Sequence, residues 1–242
     1  PNCYSKLWKY VDKIHVISDD LKAKVIRSGG EELLPKCVKI TPAIDITLFE
    51  RKEPFPVFQP PYQFTTVARL HWKKGLEYTL KALSLLKKEG VLFHYTIIGS
   101  GVEEERLRFV VHVLGLEEEV TFSGKLSQEE IKTQLEKTHL YIQYSIQEGF
   151  CNAVLEAQAM GVFCVVSDAE GLSENIVDGV TGSLVPRRLP KLLSEQLKKD
   201  LARQEKFDVT VFNSSNDRVS NNFNLSKQRE EFLNFYIAPN QY

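Results

Sequence analysis

Apolar residues in the middle of this chain fall in short unbroken runs, at 63–68, 92–98, 119–123, 139–143 and 162–167. Between them, at 75–89, 103–114, 127–137 and 152–160, the apolar positions follow helical spacing. An unbroken apolar run marks a strand buried on both faces, as in a parallel sheet covered by helices. Strands alternating with helices therefore predict a Rossmann-like, doubly wound α/β domain. Ahead of it, KIHVIS from Lys13 reads as a short strand, and DDLKAKVIRSG as a helix capped by Asp19 and ended by Gly29. CVKIT (37–41) reads as another strand. Pro54, Pro56, Pro60 and Pro61 make 51–61 an extended linker. Past Arg188 the pattern predicts a helix at 190–203, a polar loop over 204–222 and a last helix at 226–236. The chain thus divides into an incomplete N-terminal α/β segment (1–50), a linker (51–61), a main domain (62–203) and a tail (204–242).

Composition narrows the partners. With 242 residues, 43% of them hydrophobic, the chain can bury a sizeable core. A net charge of −1 gives no electrostatic case for nucleic acid. No apolar run approaches the roughly 18 residues of a membrane span, and the N-terminus does not resemble a signal peptide. Cys3, Cys37, Cys151 and Cys164 show neither CxxC pairing nor metal spacing. Reduced thiols and a cytoplasmic location are the expectation, on which the triplets at Asn213 and Asn224 are chance matches to a glycosylation site. A chain that begins with Pro1 is expected to be part of a longer protein.

The residues with the most chemistry lie in QEGFCNAVLEAQAMG, Gln147 to Gly161. Its apolar character predicts a buried helix, within which Glu156 needs a partner, because a lone buried carboxylate is costly. Gly149 lets the backbone approach a ligand beside Glu148, and Asn152 suits a helix N-cap. A helix N-terminus favours phosphate. Glu148 and Glu156 stand eight positions apart, about 12 Å of rise if all were helical. That is about the span from a sugar across a diphosphate to a ribose. The spacing fits a core helix with one salt-bridged glutamate equally well. Arg69 ends the first strand of the domain and Lys74 opens the next helix, where open α/β sheets bind ligands; solvated surface charge is the ordinary alternative. Gly99-Ser-Gly101 lacks the third glycine of a dinucleotide loop, and Glu103–Glu105 would repel a pyrophosphate. Those glycines are expected to let the loop approach a nucleotide. The histidines show no ligand spacing.

EGFCNAVLEA resembles the E-x7-E signature of retaining glycosyltransferases of the GT-B fold, family 4, and GLSEN at 171–175 resembles the loop that follows it. VARLHWKKG is similar to the family's R-L-x-x-x-K-G turn, and Asp45 and Phe49 match its crossing between domains. The resemblance implies that Glu148 lies by the transferred sugar, that Glu156 bonds the ribose, and that Arg69 and Lys74 hold the donor's phosphates. Gly149, Phe150, Cys151, Asn152 and Gly99 would line the donor site, with Lys125 and Leu126 facing the base. Ser145 matches a serine before the motif loop, with packing an equal reading, and Glu174 would be supportive. Cys151 departs from a frequent glycine and could narrow the sugar pocket; Phe163 departs from a proline. The implied activity is hexose transfer from a nucleoside-diphosphate sugar to a carbohydrate or lipid-linked acceptor, with retention and without a metal or other cofactor. The full-length enzyme could be peripheral to the membrane. With most of the acceptor domain missing, the chain alone is expected to transfer little or no sugar, and to self-associate through its N-terminal segment and last helix. A non-catalytic nucleotide-sugar-binding subunit is the alternative. An oxidoreductase is disfavoured by the missing glycine and the acidic run.

Overall fold

The computed structural model describes residues 6–203 and 209–237, which leaves Cys3 outside. Its main body is a sheet of β3 (Tyr62–Val67), β4 (Phe93–Ile98), β5 (Val120–Gly124), β6 (Leu140–Gln143), β7 (Phe163–Ser167) and β8 (Gly182–Val185). All the strand pairs are parallel, in the order β5-β4-β3-β6-β7-β8. Helices α2 (Leu76–Lys88), α3 (Glu104–Val113), α4 (Gln128–Glu136), α5 (Asn152–Ala159) and α6 (Pro190–Leu201) connect or flank these strands. The expected doubly wound α/β fold is therefore present. Chain order reverses between β3 and β6, and ligands in such sheets bind outside the carboxyl ends at that crevice.

The two faces of the sheet are sealed separately. Phe64, Leu80, Leu83, Tyr95 and Leu140 form one core cluster. Val154, Leu155, Met160, Val166 and Leu172 form the other, around α5. Helix α5 buries Val154, Leu155 and Ala157 completely, as an apolar helix should. Helix α4 starts at a capping box, in which Ser127 and Glu130 satisfy each other's main-chain N–H groups.

Several boundaries differ from the pattern-based expectation. Strand β8 is a four-residue edge strand opening on Gly182, too short and too poor in apolar residues to register as a run. Residues 204–222 read as loop, yet α7 (Val209–Asn222) occupies most of that stretch. Its sequence is polar because few positions face inward: Val219 and, just beyond, Phe223 close the second core. Helix α1 (Asp19–Gly29) is capped by Ser18, whose hydroxyl accepts the Leu21 N–H, and Asp19 is its first residue. Likewise Cys151 precedes α5, and Asn152 is inside the helix rather than its cap.

The N-terminal segment carries α1 beside a two-stranded parallel sheet of β1 (Ile14–Val16) and β2 (Cys37–Lys39). It is docked at its edges by polar contacts. The Glu174 carboxylate accepts the N–H groups of Asp19 (2.8 Å) and Asp20 (3.3 Å) and pairs with Lys39. Negative charge suits the start of a helix. The Ile44 N–H donates to the Phe223 carbonyl at 3.0 Å. Helix α8 (Leu225–Ile237) lies back along the segment, with Phe232 edge-on to the His15 ring and the Phe235 carbonyl accepting from Lys13. At the start of the linker, Arg51 donates to the carbonyls of Leu135, Glu136 and Met160, the C-terminal ends of α4 and α5. Among the described residues no helix is long and apolar enough to cross a membrane.

Candidate functional site

Three loops meet at the carboxyl end of the sheet: 68–75 after β3, 99–103 after β4 and 144–151 after β6. Gly99 (φ +132°) and Gly101 lie against the first of these, where a Cβ would strike the carbonyls of Ala68 and Leu70 at 1.9 and 2.2 Å. These glycines are needed for loop-to-loop packing, and both also line the larger of the two cavities, where the expected approach to a nucleotide would take place. Gly75 (φ +64°) plays the same part on the other side, under the Tyr144 carbonyl.

Two cavities open here. One, about 620 Å³, has largely apolar walls (Val67, Leu70, Ile98, Val102, Leu126, Ile131) and includes Arg69, Gly99 and Lys125. The other, about 370 Å³, is polar and is lined by Arg69, Lys73, Lys74, Glu148, Gly149 and Glu170, among others. Arg69 and His71 belong to both, so the cavities share a wall. Arg69 is exposed, and among the described residues no hydrogen bond or ion pair engages its guanidinium. Such a fork of donors suits a phosphate or carboxylate. His71, which has no ligand spacing in the sequence, is half-buried, and its Nδ1 accepts the Lys73 N–H at 3.3 Å. Its position two residues after Arg69 in one turn was the only signal available.

Glu148 sits in the loop ahead of α5. Its Oε2 pairs with Lys74, and the two side chains are only 14% and 18% exposed. The same oxygen accepts from Ser145 Oγ at 3.3 Å. Lys74 thus faces a carboxylate rather than open solvent. Glu156, one turn into α5, is half-buried, and no hydrogen bond or ion pair engages it among the described residues. No protein group among the described residues supplies the partner that Glu156 needs, and burial pushes its carboxyl up to about 7. It lies near enough to Tyr141 for its charge to act on that phenol.

The side chains of Phe150 and Cys151 belong to the second core. Phe150 tilts against Phe223, and burial pushes the Cys151 thiol up to about 12. Neither lines the two cavities, so Cys151 does not narrow them with its side chain. Asn152 is exposed on the first turn of α5. Asn175 positions this turn: its amide accepts the Cys151 N–H at 3.1 Å and donates to the Cys151 carbonyl at 2.9 Å. Arg218 in turn donates to the carbonyls of Glu174 and Asn175. Asn175 closes the GLSEN segment without standing out within it, and Arg218 carries no spacing that could have marked it. Among the described residues no group of three or more His, Cys, Asp or Glu is placed to hold a metal.

Known proteins share this sequence pattern and this fold. Residues 49–214 match the family described as Glycosyl transferases group 1. The putative colanic acid biosynthesis glycosyltransferase WcaL of Escherichia coli is 29% identical over 97% of this chain and 59% of its own length. The amylovoran biosynthesis glycosyltransferase AmsK of Erwinia amylovora is 34% identical over 68% of this chain and 42% of its own. This chain therefore spans roughly half the length of these relatives. Among solved structures, a glycosyltransferase from Rickettsia africae superposes with a TM-score of 0.84 at 19% identity, over 98% of this chain and 66% of that one. HepE of Anabaena, solved in complex with UDP and glucose, gives 0.81 at 19% identity, over 93% and 63%. By the match over most of its length, the chain belongs to the group 1 glycosyl transferases.

Proposed function

We propose that this chain provides the donor side of a family 4 glycosyltransferase site, binding a nucleoside-diphosphate sugar for transfer of the hexose with retention. The reading is carried by one observation: an apolar cavity and a basic, polar cavity share the Arg69–His71 wall at the reversal point of a parallel sheet. A base and ribose suit the first cavity, and a diphosphate with its sugar suits the second. Arg69 and Lys74, with the free N–H groups at the start of α5, would stabilise charge on the departing diphosphate. Glu148 would face the sugar and Glu156 the ribose hydroxyls, which can donate to its unpartnered oxygens. Positive charge from these groups makes a bridging metal unnecessary. UDP in the HepE complex makes uridine nucleotides the first to try. The acceptor would be a carbohydrate or a lipid-linked sugar, presented by sequence beyond the span of this chain.

A titration against UDP, GDP, ADP, UDP-glucose, UDP-galactose, UDP-N-acetylglucosamine and GDP-mannose tests the reading. One nucleoside diphosphate should bind, with or without EDTA. Arg69→Ala should weaken it about ten- to a hundredfold, the value of a lost charge-assisted contact. Unchanged affinity in Arg69→Ala, or a strict need for magnesium, would overturn the phosphate assignment.

A further inference from the structure

Strand β6 and the two residues after it run Leu140-Tyr-Ile-Gln-Tyr-Ser145, and alternate side chains of a strand share a face. On one face stand Tyr141, Gln143 and Ser145, each fully buried. Three polar groups in a row inside a sheet are costly unless they satisfy one another. They do so in sequence. The Val67 N–H donates to the Tyr141 hydroxyl oxygen at 3.2 Å, and the phenol proton is within reach of both Gln143 Oε1 at 3.1 Å and the Val67 carbonyl at 3.2 Å. Gln143 Nε2 donates to Ser145 Oγ at 2.9 Å, and Ser145 Oγ donates to Glu148 Oε2. The Ser145 carbonyl is itself held by Ser167 Oγ at 2.6 Å.

From Gln143 onward every donor points towards Glu148, while the Tyr141 proton has two acceptors, Gln143 Oε1 and the Val67 carbonyl. An amide nitrogen cannot accept, so the Gln143–Ser145 bond fills the acceptor side of the serine hydroxyl and leaves its single proton for the carboxylate. Turning the Gln143 amide over would draw that proton back to Gln143 and strip Glu148 of the bond. A carboxylate at 148 selects the first arrangement, because a bond to a charged acceptor is the stronger one. Lys74 and Ser145 both engage Oε2, and Oε1 has no protein partner among the described residues.

We infer that Tyr141, Gln143 and Ser145 are positioning residues: a hydrogen-bond relay anchored by Tyr141 on the main chain of Val67, directed one way from Gln143 to Glu148, that fixes the carboxylate with Oε1 free for the donor sugar. The inference rests on the reading of Glu148 as the sugar-side group. It gives the polar Gln143, at the end of a buried strand, a role in the site that packing alone does not supply.

The test compares the nucleoside diphosphate and the nucleotide sugar picked out by the titration above. Ser145→Ala and Gln143→Met should bind the nucleoside diphosphate within about twofold of the parent, which also reports that they fold. Both should lose about five- to tenfold for the nucleotide sugar, less than the ten- to a hundredfold of a lost charge-assisted contact because they act on the sugar only through Glu148. Glu148→Gln should show the same selective loss, and adding Ser145→Ala to it should change affinity less than about twofold, because the relay then has no charge to orient. Equal losses for both ligands, an unchanged affinity for the sugar form, or losses that multiply in the double variant would overturn the relay. If Glu148→Gln alone leaves the nucleotide sugar untouched, the sugar-side reading of Glu148 fails, and the relay with it.

Discussion

Glu148 and Glu156 open and close one short stretch of chain, and their surroundings differ in every respect that matters to a carboxylate. Glu148 lies in a loop, paired with Lys74 and bonded by Ser145 at the end of a buried polar series. Glu156 projects from a helix packed into the core, half-buried and without a partner, and its carboxyl is pushed up to about 7. One end of the site satisfies its charge internally; the other leaves a charge to be satisfied from outside. The first arrangement holds a group in place. The second creates demand for hydrogen-bond donors such as ribose hydroxyls.

The largest expected effect separates the two by pH. Donor hydroxyls favour the ionised form of Glu156, so binding must expel its proton wherever the free site is protonated. Affinity for a nucleotide sugar, whose diphosphate diester keeps its charge over this range, should fall by up to about tenfold per pH unit below 7. Glu156→Gln should bind more weakly at pH 8 and lose this slope. All other groups of the site remain in that variant, so the difference between the two proteins isolates the carboxylate. A parent protein with flat affinity from pH 8 to 5.5 would contradict the ribose assignment.

A second comparison breaks the satisfied end. Lys74→Ala leaves Glu148 in place without its cation, which should cost on the order of 2–3 kcal/mol of stability for a largely buried pair. Lys74→Ala combined with Glu148→Gln should recover most of that loss in urea unfolding. No recovery would mean that Lys74 stabilises through packing rather than charge.

The smallest effect has the opposite sign at the other end. A carboxyl raised from 4.5 to about 7 in the folded chain contributes stability below pH 4.5 and loses it as pH rises through 7. At pH 8 the ionised group is therefore a cost, and Glu156→Gln should stabilise the ligand-free chain by about 1–2 kcal/mol after discounting for partial exposure. Thermal unfolding should move up by a few degrees. A lower midpoint would show that Glu156 has a stabilising partner.

The sheet was legible because its strands are buried on both faces and read as solid apolar runs. The edge strand at Gly182–Val185 and the helix over Val209–Asn222 were not, since each shows the core only a few side chains. At the site, the positions of Arg69, Lys74 and Glu148 could be named from motif and strand end. Which atoms they meet could not. The Lys74–Glu148 pair joins residues 74 positions apart, and the sequence-level reading had sent Lys74 to phosphate alone. Gln143 does not stand out at the end of an apolar run, because a buried amide becomes informative only when its neighbours on the same face are seen together.

The clip made by Arg51 bears on what covalent continuity contributes to this protein. Just past it, Lys52, Glu53 and Pro54 are exposed. A trypsin cut after Lys52 would separate residues 1–52 from the rest in the chain but not in space. The shorter piece would keep Arg51 on the ends of α4 and α5, Lys39 on Glu174, and Ile44 and Thr41 on Phe223 and Gln228. The linker thus acts as a tether between parts already fastened together. The nicked protein should travel as one particle on a sizing column and separate only in denaturant.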